Sequence, residues 1–154
     1  TMVRGMLLNN QLTDFNFAPV ESGKPVANRA EPGKRPLSSM APTLVFDANG
    51  KLVMVVGSPG ATLIISYVVK TLIATIDWNL DIQAAISLPN VGSRNGPTEI
   101  EAVAGSEDLA QALRALGHAV RVMDMTSGLH GIVRTGDGWT GGADPRREGI
   151  AKGH

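Results

Sequence analysis

Cysteine is absent from all 154 positions, so the chain has no disulfide framework, no thiol nucleophile and no thiolate metal site. That absence is compatible with any compartment. An excess of one charge is missing too: fourteen Lys and Arg balance fourteen Asp and Glu, for a formal net charge of zero. Neutrality argues against a nucleic-acid or membrane-surface role, because both draw on a basic excess to meet phosphates. Long apolar runs are lacking as well. The most apolar stretch, Leu63 to Ile76, is broken by Ser66, Lys70, Thr71 and Thr75 and falls short of the roughly twenty residues that cross a bilayer. Thr1-Met2-Val3-Arg4 does not open a signal peptide, having no basic region followed by an apolar run and a cleavage site. Aromatics are scarce (two Trp, one Tyr, three Phe), whereas Gly and Pro number eighteen and nine. A core of aliphatic side chains and many tight backbone passages follow from that balance.

The length corresponds to one domain, residues 1–154. Strand-like sequence begins almost at once and without an initiator methionine, so the chain reads as the rear part of something longer. Met6-Leu7-Leu8 is a short strand closed by Asn9-Asn10-Gln11. From Asp14 to Met40 the chain is rich in Pro, Gly and charge and has almost no periodicity, which predicts a long irregular loop, functional or disordered. Thr43–Phe46 and Leu52–Val56 flank Asp47-Ala48-Asn49-Gly50, a hairpin signal because Asn and Gly both tolerate positive φ. Gly57-Ser58-Pro59-Gly60 ends the second strand, and a helix follows from about Ala61 to Trp78. Its apolar positions surround most of its circumference, predicting burial on all sides. A short helix over Asp81–Ser87 is capped by Asn79 or Asp81, and Leu88–Gly96 is a loop. A strand over Glu99–Ala104 leads to a helix through Leu116, with Ser106 as its N-cap and Gly117 as its stop. Strands over Ala119–Met123, His130–Arg134 and Trp139–Gly141 complete the order. Helices and strands are grouped rather than alternating, which favours an α+β arrangement with a mixed or antiparallel sheet.

The chemistry-bearing positions fall in four places. The loop Gly57-Ser58-Pro59-Gly60-Ala61 joins a strand to a helix, so backbone N–H groups there lack intrahelical partners and can hold an anion or oxyanion. A plain strand-to-helix turn would use the same glycines. Ser38 and Ser39 lie between Pro36 and Pro42, two adjacent hydroxyls on a stiffened loop. Gln11 and Asp14 stand three residues apart after a strand, an amide and a carboxylate able to converge on an ammonium group; a solvated turn has the same composition. Thr1 would be a nucleophile only if its α-amino group were free to act as base, and its surroundings lack the polar threonines expected near such a site. His118, His130 and His154 are not at ligand spacing, so no metal site is expected. Ser, His and Asp occur without a Gly-x-Ser-x-Gly elbow, which leaves no serine triad.

These segments together resemble the C-terminal part of the small subunit of the γ-glutamyltranspeptidase family. The resemblance is carried by Leu7-Leu8-Asn9-Asn10-Gln11-Leu12-Thr13-Asp14-Phe15, by Gly33-Lys34-Arg35-Pro36-Leu37-Ser38-Ser39-Met40-Ala41-Pro42-Thr43 and by Gly57-Ser58-Pro59-Gly60. It continues in Asp77-Trp78, Thr126-Ser127-Gly128-Leu129-His130 and Gly141-Gly142-Ala143-Asp144-Pro145-Arg146. The resemblance implies an αββα N-terminal-nucleophile hydrolase sandwich, of which only the C-terminal portion is present, matured by self-cleavage into two subunits. It implies a γ-glutamyl transferase or hydrolase acting through an acyl-enzyme, without a cofactor. Gln11 and Asp14 would bind the α-amino group of the γ-glutamyl moiety, Ser38 and Ser39 its α-carboxylate, and the backbone at Gly60 and Ala61 would form the oxyanion hole. The expected partners are a large subunit from the same precursor and a γ-glutamyl small molecule, with self-association of the fragment; a periplasmic or secreted location is implied. Two features depart from the family pattern. Ala61 stands where a second glycine is usual. Thr1 lies only eight positions before Asn9, whereas the family nucleophile lies some tens of residues earlier, so the nucleophile is expected outside this chain. A non-catalytic binding fragment and a related acylase of the same superfamily are the alternatives.

Overall fold

The computed structural model describes residues 2–153; Thr1 and His154 lie outside the described residues. The chain divides into two compact units, Thr1–Ser38 and Ser39–His154.

The first unit is built from short pieces. β1 (Met2–Val3) and β2 (Met6–Leu7) pair antiparallel across Arg4-Gly5. A 3₁₀ turn, Gln11–Asp14, follows. The stretch expected to be irregular contains a second small hairpin, β3 (Val20–Glu21) with β4 (Lys24–Pro25). Its corner is Ser22-Gly23, both at positive φ. Periodicity cannot reveal strands of two residues, which is why the sequence reads as featureless there.

The second unit has a four-stranded antiparallel sheet. It comprises β5 (Thr43–Phe46), β6 (Leu52–Gly57), and, beyond the second sheet in sequence, β10 (His130–Thr135) and β11 (Gly138–Ala143), in the order β11-β10-β6-β5. The β5–β6 hairpin forms as expected, by a different device. Only Gly50 has positive φ, and the Asp47 carboxylate accepts the N–H groups of Asn49 and Lys51, both at 2.9 Å. Strand alternation then sorts the sheet into two faces. Val45, Met54 and Val133 share one cross-strand row and point into the core. Leu44, Val55 and Ile132 share the next row on the opposite face, where Leu44, Phe46, Ile132 and Trp139 are all exposed.

Helix α1 (Ile64–Ile76) continues from a 3₁₀ turn at Ala61–Leu63 and covers the core face together with α2 (Ile82–Ser87). Asp81 caps α2 by accepting from Gln83 N and Ala84 N, the second of the two caps considered. Ile82 and Ile86 of α2 are buried, each contributing roughly 2 kcal/mol of apolar burial. They reach the sheet because it carries Gly131 and Gly142 there: a Cβ at Gly131 would meet Ile82 Cδ1 at 2.8 Å, and one at Gly142 would meet Gln83 N at 3.1 Å. The expectation that α1 is buried all round needs correction. Ile64, Tyr67, Val68, Thr71 and Ala74 are buried, whereas Ile65, Val69, Ile73 and Ile76 form an exposed stripe. Apolar periodicity shows which positions can be buried, and the layers present decide which ones are.

A second, three-stranded sheet joins β7 (Val91–Ser93), β8 (Thr98–Glu101) and β9 (Val120–Met123). β7 lies within the stretch expected to be a loop, because pairing to β8 orders a segment with little strand propensity of its own. β8 and β9 are parallel and connected by α3 (Ser106–Ala115). Ser106 is not the N-cap of α3. Gly105 holds that position in the left-handed region, while the Ser106 hydroxyl accepts from Val103 N at 2.8 Å and lies 2.5 Å from Glu101 O. Gly117, at φ 89°, ends the helix as expected, with His118 N donating to Leu113 O and Gly117 N to Arg114 O. No described helix is long and apolar enough to cross a membrane.

Candidate functional site

In the first unit, Gln11 and Asp14 begin and end the 3₁₀ turn. A 3₁₀ helix has three residues per turn, so side chains at i and i+3 eclipse. The spacing read from the sequence therefore puts residues 11 and 14 on one side of the turn. The turn is held from both ends. Asn9 Oδ1 accepts Gln11 N at 3.1 Å, and Asn10 O accepts Thr13 N and Thr13 Oγ1 at 3.0 and 2.7 Å. No residue of the turn is buried, and Asp14 is exposed.

Asn28 is a residue that the sequence offered no reason to select. Its Nδ2 donates to Asp14 O at 2.7 Å and to Asn16 Oδ1 at 3.0 Å, while its Oδ1 accepts Leu37 N at 2.8 Å. One side chain thus ties the Asp14 end of the turn to the residue preceding Ser38. Its only signal in the sequence is being an amide in an otherwise aperiodic stretch. Ser38, exposed, is the last residue of the first unit, and Ser39, half-buried, is the first of the second.

In the second unit, β6 runs into Ser58-Pro59-Gly60 and then the 3₁₀ turn. Gly60 has φ 141° and ψ 21°, and a Cβ there would stand 2.5 Å from Tyr67 Cε2; only glycine fits. Ala61 follows at φ 50°, a left-handed conformation that costs an alanine roughly 1–2 kcal/mol. Gly60 O accepts Leu63 N and Ala61 O accepts Ile64 N. The N–H groups of Gly60 and Ala61 donate to no described residue. Two successive unpaired donors therefore lie on a loop held in an uncommon conformation.

Behind that loop is a buried polar cluster that the sequence showed only as unassigned motif residues. Asp144 is 1% exposed. Its Oδ2 accepts Ser127 Oγ at 2.6 Å and Leu129 N at 2.9 Å; its Oδ1 accepts Arg146 N and Arg146 Nη1 at 3.0 and 3.1 Å. Burial pushes the Asp144 carboxyl up, but the bonds from Ser127, from the Arg146 and Leu129 backbones and from the Arg146 guanidinium outweigh it, and the pKa lies below the usual carboxylate range. Arg146 also pairs with the buried Glu101, Nη2 to Oε2 at 2.8 Å, and donates to Leu88 O at 3.0 Å. Lys70 Nζ reaches Ile86 O and Leu88 O at 3.1 and 2.8 Å. Burial, and then the nearby Arg146 charge, lower its pKa to about 8. Asn90 links the cluster to the second sheet, Nδ2 donating to Ser127 Oγ at 3.0 Å and the backbone N–H to Glu101 Oε2 at 2.7 Å. Among the described residues no group of three His, Asp or Glu is placed to hold a metal ion.

Of the six positions singled out by sequence, Gln11, Asp14 and Ser38 belong to the first unit, and Ser39, Gly60 and Ala61 to the second. Gln11 is brought together with Asp14, and Gly60 with Ala61; Thr1 lies outside the described residues.

Comparison with known proteins gives a consistent result. The family model described as Gamma-glutamyltranspeptidase matches residues 1–154. The glutathione hydrolase proenzyme of Escherichia coli is 37% identical over 152 residues, which is 92% of this chain and 26% of that protein. The glutathione hydrolase proenzyme of Bacillus subtilis is 38% identical over 114 residues, 74% of this chain and 18% of that protein. The chain thus spans about a quarter or less of the length of these relatives. Among solved structures, a mutant gamma-glutamyltranspeptidase of Helicobacter pylori superposes with a TM-score of 0.73 at 33% identity, covering 94% of this chain and 83% of that one. The mixed α+β architecture is part of the N-terminal-nucleophile hydrolase fold of these structures.

Proposed function

The chain belongs to the γ-glutamyltranspeptidase family, and from that premise we propose that it supplies the γ-glutamyl-recognition and oxyanion elements of a γ-glutamyl transferase or hydrolase. The carrying observation is the pair of unpaired N–H groups at Gly60 and Ala61, on successive residues of positive φ. Donors fixed before the reaction begins stabilise charge that develops on a carbonyl oxygen, because no reorganisation is needed as the charge appears. The substrate is a γ-glutamyl amide of the glutathione type. Asp14 and Gln11 accept hydrogen bonds from its α-ammonium group, and Asp14 adds the opposite charge. Ser38 and Ser39 donate to its α-carboxylate. A threonine outside these 154 residues attacks the γ-carbonyl, the C–N bond breaks and the amine leaves. The acyl group then passes from the threonine ester to water or an amino acid.

The proposed partner is a large subunit of the same precursor, and the relatives' description as proenzymes supports that reading. So does the exposed row of Leu44, Phe46, Ile132 and Trp139, an apolar sheet face of a kind that marks an interaction surface. A related acylase activity draws support from 35% identity to the acylase ACY 1 proenzyme of a Pseudomonas strain. An amide, an acid and two hydroxyls suit a free amino-acid head group better. Release of a chromogenic amine from a γ-glutamyl anilide tests the proposal. The chain alone is expected to give no release, and the complete processed enzyme, which also carries the upstream threonine, to give turnover. Turnover by the isolated chain that is lost in Thr1→Ala would overturn it.

A further inference from the structure

We infer that Ser58 is a positioning residue that aims the Gly60 N–H by holding the carbonyl at the other side of the same peptide. The Ser58 hydroxyl donates to Pro59 O at 2.6 Å. Pro59 C=O and Gly60 N–H belong to one planar trans peptide, so they point in opposite directions and turn together. Fixing the carbonyl therefore fixes the direction of the donor. The same hydroxyl accepts Gly128 N at 3.1 Å, and this sets the hydroxyl itself. Gly128 has little freedom to move: Ser127 Oγ and Leu129 N on either side of it both bond to the buried Asp144. A Cβ at Gly128 would lie 2.6 Å from Pro59 Cγ, so the proline ring sits directly on that glycine. The Ala61 N–H is aimed by a separate bond. Its peptide carbonyl, Gly60 O, accepts Leu63 N at 3.1 Å, which does not involve Ser58.

The inference rests on the oxyanion reading of Gly60 and Ala61, and its test separates the two. In the ¹⁵N-labelled chain, Ser58→Ala is expected to shift the Gly60 amide resonance. The Ala61 amide is expected to change much less, and Ser58→Thr to restore Gly60. In the assembled enzyme, Ser58→Ala is expected to lower kcat by roughly ten- to a hundredfold, below the loss seen when an oxyanion donor is removed outright. KM is expected to stay within about twofold, and Ser58→Thr to recover most of kcat. A Gly60 amide unmoved by Ser58→Ala overturns the inference. A moved amide with unchanged kcat overturns the oxyanion reading, and with it the place of Ser58 in the reaction.

Discussion

Asp14 and Asp144 are both carboxylates in motifs of one family, and their settings are opposite. Asp14 ends an exposed 3₁₀ turn in a unit assembled from two-residue strands. Asp144 is buried and accepts four hydrogen bonds from three residues. The acceptor capacity of Asp144 is used up inside the protein, so its value is structural. Asp14 bears a charge that water can reach, and a ligand ammonium can take the place of that water. The difference teaches that burial and prior partnership, more than residue type or membership of a motif, separate an acid that holds the fold from one left open to meet a ligand.

The largest effect that could break this comparison is expected at Asp144. Asp144→Ala leaves Arg146, Ser127 and Leu129 N without their acceptor, a loss of about 3–5 kcal/mol by analogy with broken buried pairs, read as a lowered urea midpoint. The pH dependence has a definite sign. The folded-state pKa is depressed, so the stabilisation is fully present above the unfolded value of about 3.9. It is lost as pH falls through the folded value. An acid-induced transition that is unchanged in a folded Asp144→Asn variant would count against this role.

Asp14→Ala should do the reverse. A charge-assisted bond is worth roughly 1.5–3 kcal/mol, so kcat/KM in the assembled enzyme should fall about ten- to a hundred-and-fiftyfold, with Tm nearly unchanged. Normal kinetics with a lowered Tm would place Asp14 with Asp144 and remove it from the substrate site. Asn28→Ala sharpens the contrast. It should lower kcat/KM by less, about three- to tenfold, through loosening of the Asp14 and Leu37 backbones, and Asn28→Asp should not rescue it because the Nδ2 donor is gone.

Lys70 offers a milder test on the buried side. Its folded pKa, about 8, lies below the unfolded value of about 10.4. The unfolded chain therefore binds more protons between those limits, and stability should rise with pH across that window. Lys70→Met should flatten that rise in a series of thermal melts. The smallest effect is expected at Ala61. Ala61→Gly relieves a left-handed alanine but adds glycine's unfolded-state entropy, so stability should increase by no more than about 1 kcal/mol in chemical denaturation.

The sequence by itself determined the elements whose causes are local. The β5–β6 hairpin, the Asp81 cap, the Gly117 stop and the strand pair joined by Thr135-Gly136-Asp137-Gly138 each depend on side chains within a few residues. It also carried the ordered motifs that mark the family, and the three-residue spacing of Gln11 and Asp14 that a 3₁₀ turn converts into one face. Tertiary structure alone decided matters that depend on distant neighbours. Only packing shows that α1 buries Tyr67 and leaves Ile65 exposed, because its apolar positions are nearly equivalent by periodicity. Only β8 makes a strand of Val91–Ser93. The positive φ of Ala61, the bond from Gly128 to Ser58 across seventy positions and the burial of Asp144 among Ser127, Leu129 and Arg146 belong with these. Their partners are brought together by the fold, and no pattern along the chain encodes that proximity.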